Sequence, residues 1–234
     1  MIEEINLETY LYISKNEFKI FLFDKKNLKN LYKNELKIYD KFNFQDLKDL
    51  VKFLDENIYE IEKILGNFVK NIILIIERNE NLSIDICLKK KNYDEFINKK
   101  NLENILIEAK DLFKTNFQEY TIMHMVINNY LINGKKHLSL IKDLRCDDLC
   151  LDINFTSISN ELTYSLEKIL EKYQIKISQY LNGSYIKSFF KENETELSEM
   201  IYKIRNGHND NEVILISKNK ENKGFFEKFF QLFS

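Results

Sequence analysis

Phe68-Val-Lys-Asn-Ile-Ile-Leu-Ile-Ile76 decides the fold. Ile72 to Ile76 are apolar without a break. A strand with one wet face alternates, so this run reads as a strand covered on both faces. The helix that could supply one cover stands just before it. Phe44, Leu47, Leu50, Val51, Leu54, Ile58, Ile61 and Leu65 recur at spacings of three and four, which predicts a helix over Phe44–Leu65. Further back, the β-rich runs Tyr10–Ile13 and Phe18–Phe23 flank Ser14-Lys15-Asn16-Glu17 and predict a hairpin. A third strand is expected to end near Ile38-Tyr39.

Working forward, Leu82–Leu88 alternates and predicts a strand. Leu102, Ile105, Leu106, Ala109, Leu112 and Phe113 share one face of a helix. Tyr120–Ile132 predicts a long strand, Leu138–Ile141 a segment pairing with it, and Leu149–Phe155 a strand ending at Thr156-Ser157. Ser159 or Asn160 caps a helix running to about Tyr173. Ile175–Tyr180 reads as a strand, Ser184–Phe190 and Leu197–Ile204 as helices, and Asn206–Asn211 as a polar break. Val213–Ser217 reads as a last short strand and Lys218–Lys223 as a charged linker. The order predicts a mixed α/β protein whose middle portion forms its own sheet-plus-helix subdomain.

Composition narrows the function. The chain has 234 residues, 44% hydrophobic and 31% charged, with a formal net charge of −2. That balance argues against nucleic acid as a partner. There are five Gly and no GxG or GxxxxGK[ST], so no Gly-rich phosphate loop is present. Met1–Thr9 is acidic and polar and does not read as a signal peptide. With an odd cysteine count (Cys87, Cys146, Cys150), the expectation is reduced thiols in a cytosolic compartment. No apolar run reaches the roughly 18 residues needed to span a bilayer. His124 lies in an apolar strand and reads as a packed residue, and His137 and His208 as solvated ones. Cys146 and Cys150 lack partners at zinc spacing, and Asp147, Asp148 and Asp152 read as a solvated loop. Lys89-Lys90-Lys91 reads as the solvated end of a strand. No catalytic or metal-ligating constellation is expected.

From Asn101 to Phe190 the pattern resembles the bacterial cell-division protein FtsA. Asn101-Leu-Glu-Asn-Ile-Leu-Ile-Glu-Ala-Lys110 looks like the helix opening that family's inserted subdomain, called 1C, of the SHS2 type. Tyr120-Thr-Ile-Met-His124 looks like its following strand, and Tyr130, Asn133 and Gly134 match part of the run that follows the His. Leu149–Phe155 fits the next strand, and Leu166–Ser178 is similar to the helix and strand that return to the actin-like domain. Leu11–Asp24 fits that domain's first hairpin. The resemblance implies a partial actin-like (ribonuclease H-like) subdomain over 1–77 and 157–217 and the inserted subdomain over 78–156. A linker follows at 218–223, and a membrane-targeting helix at 224–234. The family's first phosphate loop falls at Ser14-Lys15-Asn16, with Tyr12 where the family has an acid, and its second phosphate loop has no counterpart. ATP is the cofactor the resemblance implies, but with both loops lost none is expected. The family's second large domain, which completes the ATP cleft and binds FtsZ, is not covered.

The stretch Gly224–Ser234 supports the membrane expectation on its own. At about 100° per residue, Phe225, Phe226, Phe229, Phe230, Leu232 and Phe233 fall within about 160° of arc. Glu227, Lys228, Gln231 and Ser234 take the remainder. Burying the six contributes at most about 9–18 kcal/mol, against about 1 kcal/mol for each of about ten ordered residues. A single tail therefore binds weakly, helped by Lys223 and Lys228 at anionic lipid. The alternative is a helix docked on the protein's own core.

Together these readings predict a non-catalytic scaffold of bacterial cell division, peripheral on the cytoplasmic face of the inner membrane and at the septum. It would act by self-association and tethering, with division proteins as partners. The alternatives are a PilM-type adaptor of a pilus or secretion complex, or a degenerate actin-like ATP-binding protein.

Overall fold

The computed structural model describes residues 6–39, 43–44, 46–141, 144–191 and 194–214. They form two compact units. The first comprises Met1–Glu80 and Asn160–Asn206, and the second Asn81–Ser159 with the described residues from Gly207 on.

In the first unit, β1 (Leu7–Ser14) and β2 (Glu17–Asp24) form the expected hairpin, in register from Leu7 opposite Asp24 to Ile13 opposite Phe18. β3 (Lys29–Lys37) continues the antiparallel run. Helix α1 (Lys48–Leu65) begins four residues later than Phe44, with Leu47 at its N-cap and no side-chain cap, the Asp46 carboxylate accepting the Lys48 N–H at 3.3 Å beside it. It ends at Gly66, whose positive φ of 67° lets its N–H reach the Glu62 carbonyl. β4 (Asn71–Glu77) then pairs parallel with β1, Tyr10 beside Ile73 and Ser14 beside Glu77. After the second unit the chain returns as α3 (Asn160–Glu171), stopped by Gln174 at a φ of 58°. β9 (Lys176–Asn182), α4 (Gly183–Lys187) and α5 (Leu197–Arg205) complete the unit. The sheet order is β3-β2-β1-β4-β9.

Both faces of this sheet are covered, as the unbroken run at Ile72–Ile76 requires. Tyr10, Tyr12, Phe21, Phe23, Ile73 and Ile75 pack with Ile186, Leu197, Met200, Ile201 and Ile204 of α4 and α5. On the other face the Phe18 ring lies 5.8 Å from Phe53 of α1.

In the second unit, β5 (Leu82–Phe96), β6 (Tyr120–Ile132), β7 (Lys135–His137) and β8 (Arg145–Ser159) form an antiparallel sheet in the order β5-β8-β6-β7. Helix α2 (Lys99–Asn116), capped by Asn98, lays Leu102, Ile105, Leu106, Ala109 and Phe113 on one face of it. Phe113 stacks on Phe155 at 4.9 Å.

Several local expectations change here. The strand expected at Leu138–Ile141 is instead Lys135–His137, because Asn133 and Gly134 both take positive φ and turn the chain in two residues. β5 runs past Leu88 through Lys89-Lys90-Lys91. Lys91 and Lys89 pair with Asp148 at 3.0 and 3.1 Å and hold its carboxyl below the usual range, so these residues are solvated, as expected, but lie within the ladder rather than at its end.

Val213–Ser217 was expected as a strand of the first unit. Residues 211–213 instead run along β6 in the second, Ile127 N–H donating to Asn211 and Val213 N–H to Met125. Residues 215–217 lie outside the described residues. His124 is buried, as expected, with Nδ1 at 2.7 Å from Glu212 Oε1. Cys87 and Cys150, expected as free thiols, are paired across β5 and β8 with Cα atoms 6.6 Å apart. They are 63 residues apart, a spacing that carries no sequence signal, and only Cys146 is free.

Burial of β4 makes a direct prediction. Ile75→Ala is expected to lower unfolding free energy by about 2–5 kcal/mol. Ile107→Ala, at a half-exposed position of α2, is expected to stay within about 0.5 kcal/mol. Urea denaturation of the two variants checks this.

Candidate functional site

An open sheet of parallel neighbours with helices on both faces presents its crevice at the strand carboxyl ends. Here those ends belong to β1 and β4, and side chains fill the space between them. Tyr12 and Glu77 project on the α4–α5 face. The Tyr12 hydroxyl donates to Glu77 Oε2 at 2.7 Å. Lys187, from the last turn of α4, donates to the Tyr12 oxygen at 2.8 Å, pairs with Glu77 Oε2 at 2.8 Å, and lies 4.8 Å from the centre of the Tyr12 ring. Burial first, then the Glu77 hydrogen bond and charge, push the Tyr12 phenol far above its ordinary value of 10.0.

The adjoining backbone is tied up as well. In the β1–β2 turn, Ser14 Oγ accepts the N–H groups of Asn16 and Glu17 at 3.3 and 3.1 Å and donates to the Glu17 carbonyl. The Asn16 and Glu17 N–H groups are thus taken up within the turn. Gly183 opens α4 where a Cβ would stand 2.9 Å from Glu77 Cβ and 3.1 Å from the Tyr12 ring. Only glycine lets the backbone approach the trio so closely. Asn182 caps the same turn by accepting the Tyr185 N–H. Beside the trio opens a cleft of about 770 Å³, lined by Glu77, Ser184, Lys187, Phe190, Leu197 and Met200 among others.

The residues singled out in the sequence for membrane binding, Lys223, Phe225, Phe226, Lys228, Phe229, Phe230, Leu232 and Phe233, lie outside the described residues, as does the linker 218–223. The trio was not foreseen as a unit. Tyr12 stood out as a departure from an acid, but Glu77 and Lys187 lie 65 and 175 residues away from it and carry no local signal. Among the described residues, no group of three or more His, Cys, Asp and Glu is placed to hold a metal ion, and no helix is long and apolar enough to cross a membrane.

No family model matches the chain, and no curated protein matches it. Among solved structures it is similar to the cytoplasmic domain of EpsL, an inner membrane component of the type II secretion system of Vibrio cholerae. That likeness has 7% identity over 77% of this chain and 57% of that one, with a TM-score of 0.34. It is also similar to a chain of the PilM–PilN type IV pilus biogenesis complex, at 9% identity over 78% and 49%, TM-score 0.45. A Bacteroides thetaiotaomicron protein with an actin-like ATPase fold and unknown function matches at 12% identity over 81% and 58%, TM-score 0.32. The chain spans about half to three fifths of the length of these structures.

The class rests on the topology itself. Three antiparallel strands followed by two parallel ones, with helices on both faces, define an actin-like (ribonuclease H-like) subdomain. The four-stranded unit is spliced into it between β4 and α3. The comparisons do not support the FtsA family specifically.

The site makes a stability prediction with a pH signature. Gly183→Ala is expected to cost about 1–3 kcal/mol, because the added carbon meets Glu77 near its backbone. Tyr12 is held protonated in the fold, so its contribution is complete below the ordinary phenol value of 10.0 and is lost as pH rises above it. Tyr12→Phe is therefore expected to cost about 0.5–1.5 kcal/mol at pH 7 and to flatten part of the loss of stability between pH 9 and about 11. Urea denaturation across that range measures both.

Proposed function

We propose that this protein is a non-catalytic adaptor that holds a protein partner at the cytoplasmic face of the inner membrane, using an actin-like core as a scaffold. The observation that carries the reading is the filled sheet end. Tyr12, Glu77 and Lys187 bond to one another at the carboxyl ends of β1 and β4, and Ser14 Oγ takes up the Asn16 and Glu17 N–H groups of the turn where the first phosphate loop was expected. The Glu77 carboxylate disfavours a polyphosphate beside it, and the Tyr12 hydroxyl and Lys187 ammonium are already spent on that carboxylate. No bound nucleotide is part of this reading, and its activity is recognition. The finer form is an adaptor of the pilus or secretion type, whose partner is an inner-membrane protein. The segregated Phe face of 224–234 favours a second form, a self-associating division scaffold tethered by that helix.

Two measurements divide these forms. The full chain is expected to float with vesicles containing anionic lipid, while a chain ending at Asn222 stays in solution; equal flotation of both removes the tethering role. A fluorescent fusion is expected to mark the cell periphery outside the division plane and to co-purify with an inner-membrane pilus or secretion component. Confinement to the septum would instead select the division scaffold.

A further inference from the structure

The paired cysteines play no part in the reading above. Cys87 lies on β5, the outermost strand of the second unit's sheet, and Cys150 on β8 beside it. Register sets Lys89 opposite Cys150 and Asp152 opposite Cys87, so the two cysteines are diagonal neighbours on one face. Their Cα separation of 6.6 Å is within reach of a disulfide. Their settings differ. Cys87 is exposed and Cys150 is 8% exposed. The third thiol, Cys146, is fully buried, and burial pushes it above the ordinary thiol range. The pair closes a loop of 63 residues, most of the second unit, and ties down a strand that has a sheet neighbour on only one side.

We propose that Cys87 and Cys150 form a reversible thiol–disulfide couple that fastens β5 to β8 in answer to a low-molecular-weight disulfide of the glutathione class. The exposed Cys87 thiolate attacks the incoming disulfide, forming a mixed disulfide and expelling one thiolate. The Cys150 thiolate then attacks Cys87 Sγ, forming the Cys87–Cys150 bond and expelling the second thiolate. Two protons pass from the cysteines to solvent or to the departing thiolates, and two electrons reduce the disulfide to two thiols. Excess thiol reverses both steps through the exposed Cys87 sulfur. Closing the loop restricts the unfolded chain, so the oxidised unit resists unfolding more strongly.

The test equilibrates the folded full chain across reduced-to-oxidised glutathione ratios. It then quenches with acid, alkylates under denaturing conditions, and locates blocked residues by peptide mass spectrometry. The expected result is that Cys87 and Cys150 are protected together as one linked peptide in excess oxidised glutathione and are both alkylated in excess reduced glutathione. Cys146 is alkylated throughout. The oxidised wild type should also show a higher urea midpoint than the reduced form, a difference absent in Cys87→Ser and kept in Cys146→Ser. Alkylation of all three cysteines in excess oxidised glutathione would overturn the proposal. So would a glutathione adduct as the end point, or a bond that excess thiol leaves intact. Because the linked peptide is read in the wild type, a variant that fails to fold leaves the result decisive.

Discussion

Strand β1 is the constraint on which the first unit depends. Its two edges are both bonded, antiparallel to β2 and parallel to β4, and Thr9 to Ser14 are buried on both faces. A strand in that position has no freedom of register, since a one-residue slip would exchange its tyrosine face for its Leu11–Ile13 face. It therefore sets where the carboxyl ends of β1 and β4 meet, and so which side chains share the crevice. Tyr12 and Glu77 are brought together by that register, Ser14 lying beside Glu77 across the pair. Lys187 arrives from α4, whose start at Gly183 is pressed against both.

On the proposed reading, the crevice that results is not an anion site. An anion needs outward N–H groups or unpaired cations. Here Lys187 is shared between a carboxylate and a phenol oxygen, and the Asn16 and Glu17 N–H groups end on Ser14. The contacts among Tyr12, Glu77 and Lys187 make a polar end for the core beneath them. On the proposed reading, a scaffold profits from that rigidity where an ATPase would need the space.

Much of the architecture was legible in the sequence because it is written in short-range periodicity. The run Ile72–Ile76 announced a doubly covered strand, and α1 and α2 followed from spacings of three and four. What was illegible depends on tertiary register. Glu77 and Lys187 are ordinary surface residue types until the sheet sets them beside Tyr12. Cys87 and Cys150 looked like members of an odd set of thiols until β5 and β8 aligned. The β7 error was local: Asn133-Gly134 carries a two-residue turn signal, and the pairing strand begins directly after it. Val213–Ser217 was read with the first unit because a short apolar run fits any sheet edge, and the hydrogen bonds of residues 211–213 to β6 place Val213 in the second.

The central claim is that the sheet end is closed to phosphate by the protein's own side chains. Calorimetric titration of the full chain with Mg-ATP tests it most directly. The account predicts no saturable heat up to millimolar nucleotide. Binding at micromolar affinity would contradict it, because Tyr12, Glu77 and Lys187 would then have to open for a ligand that their arrangement excludes.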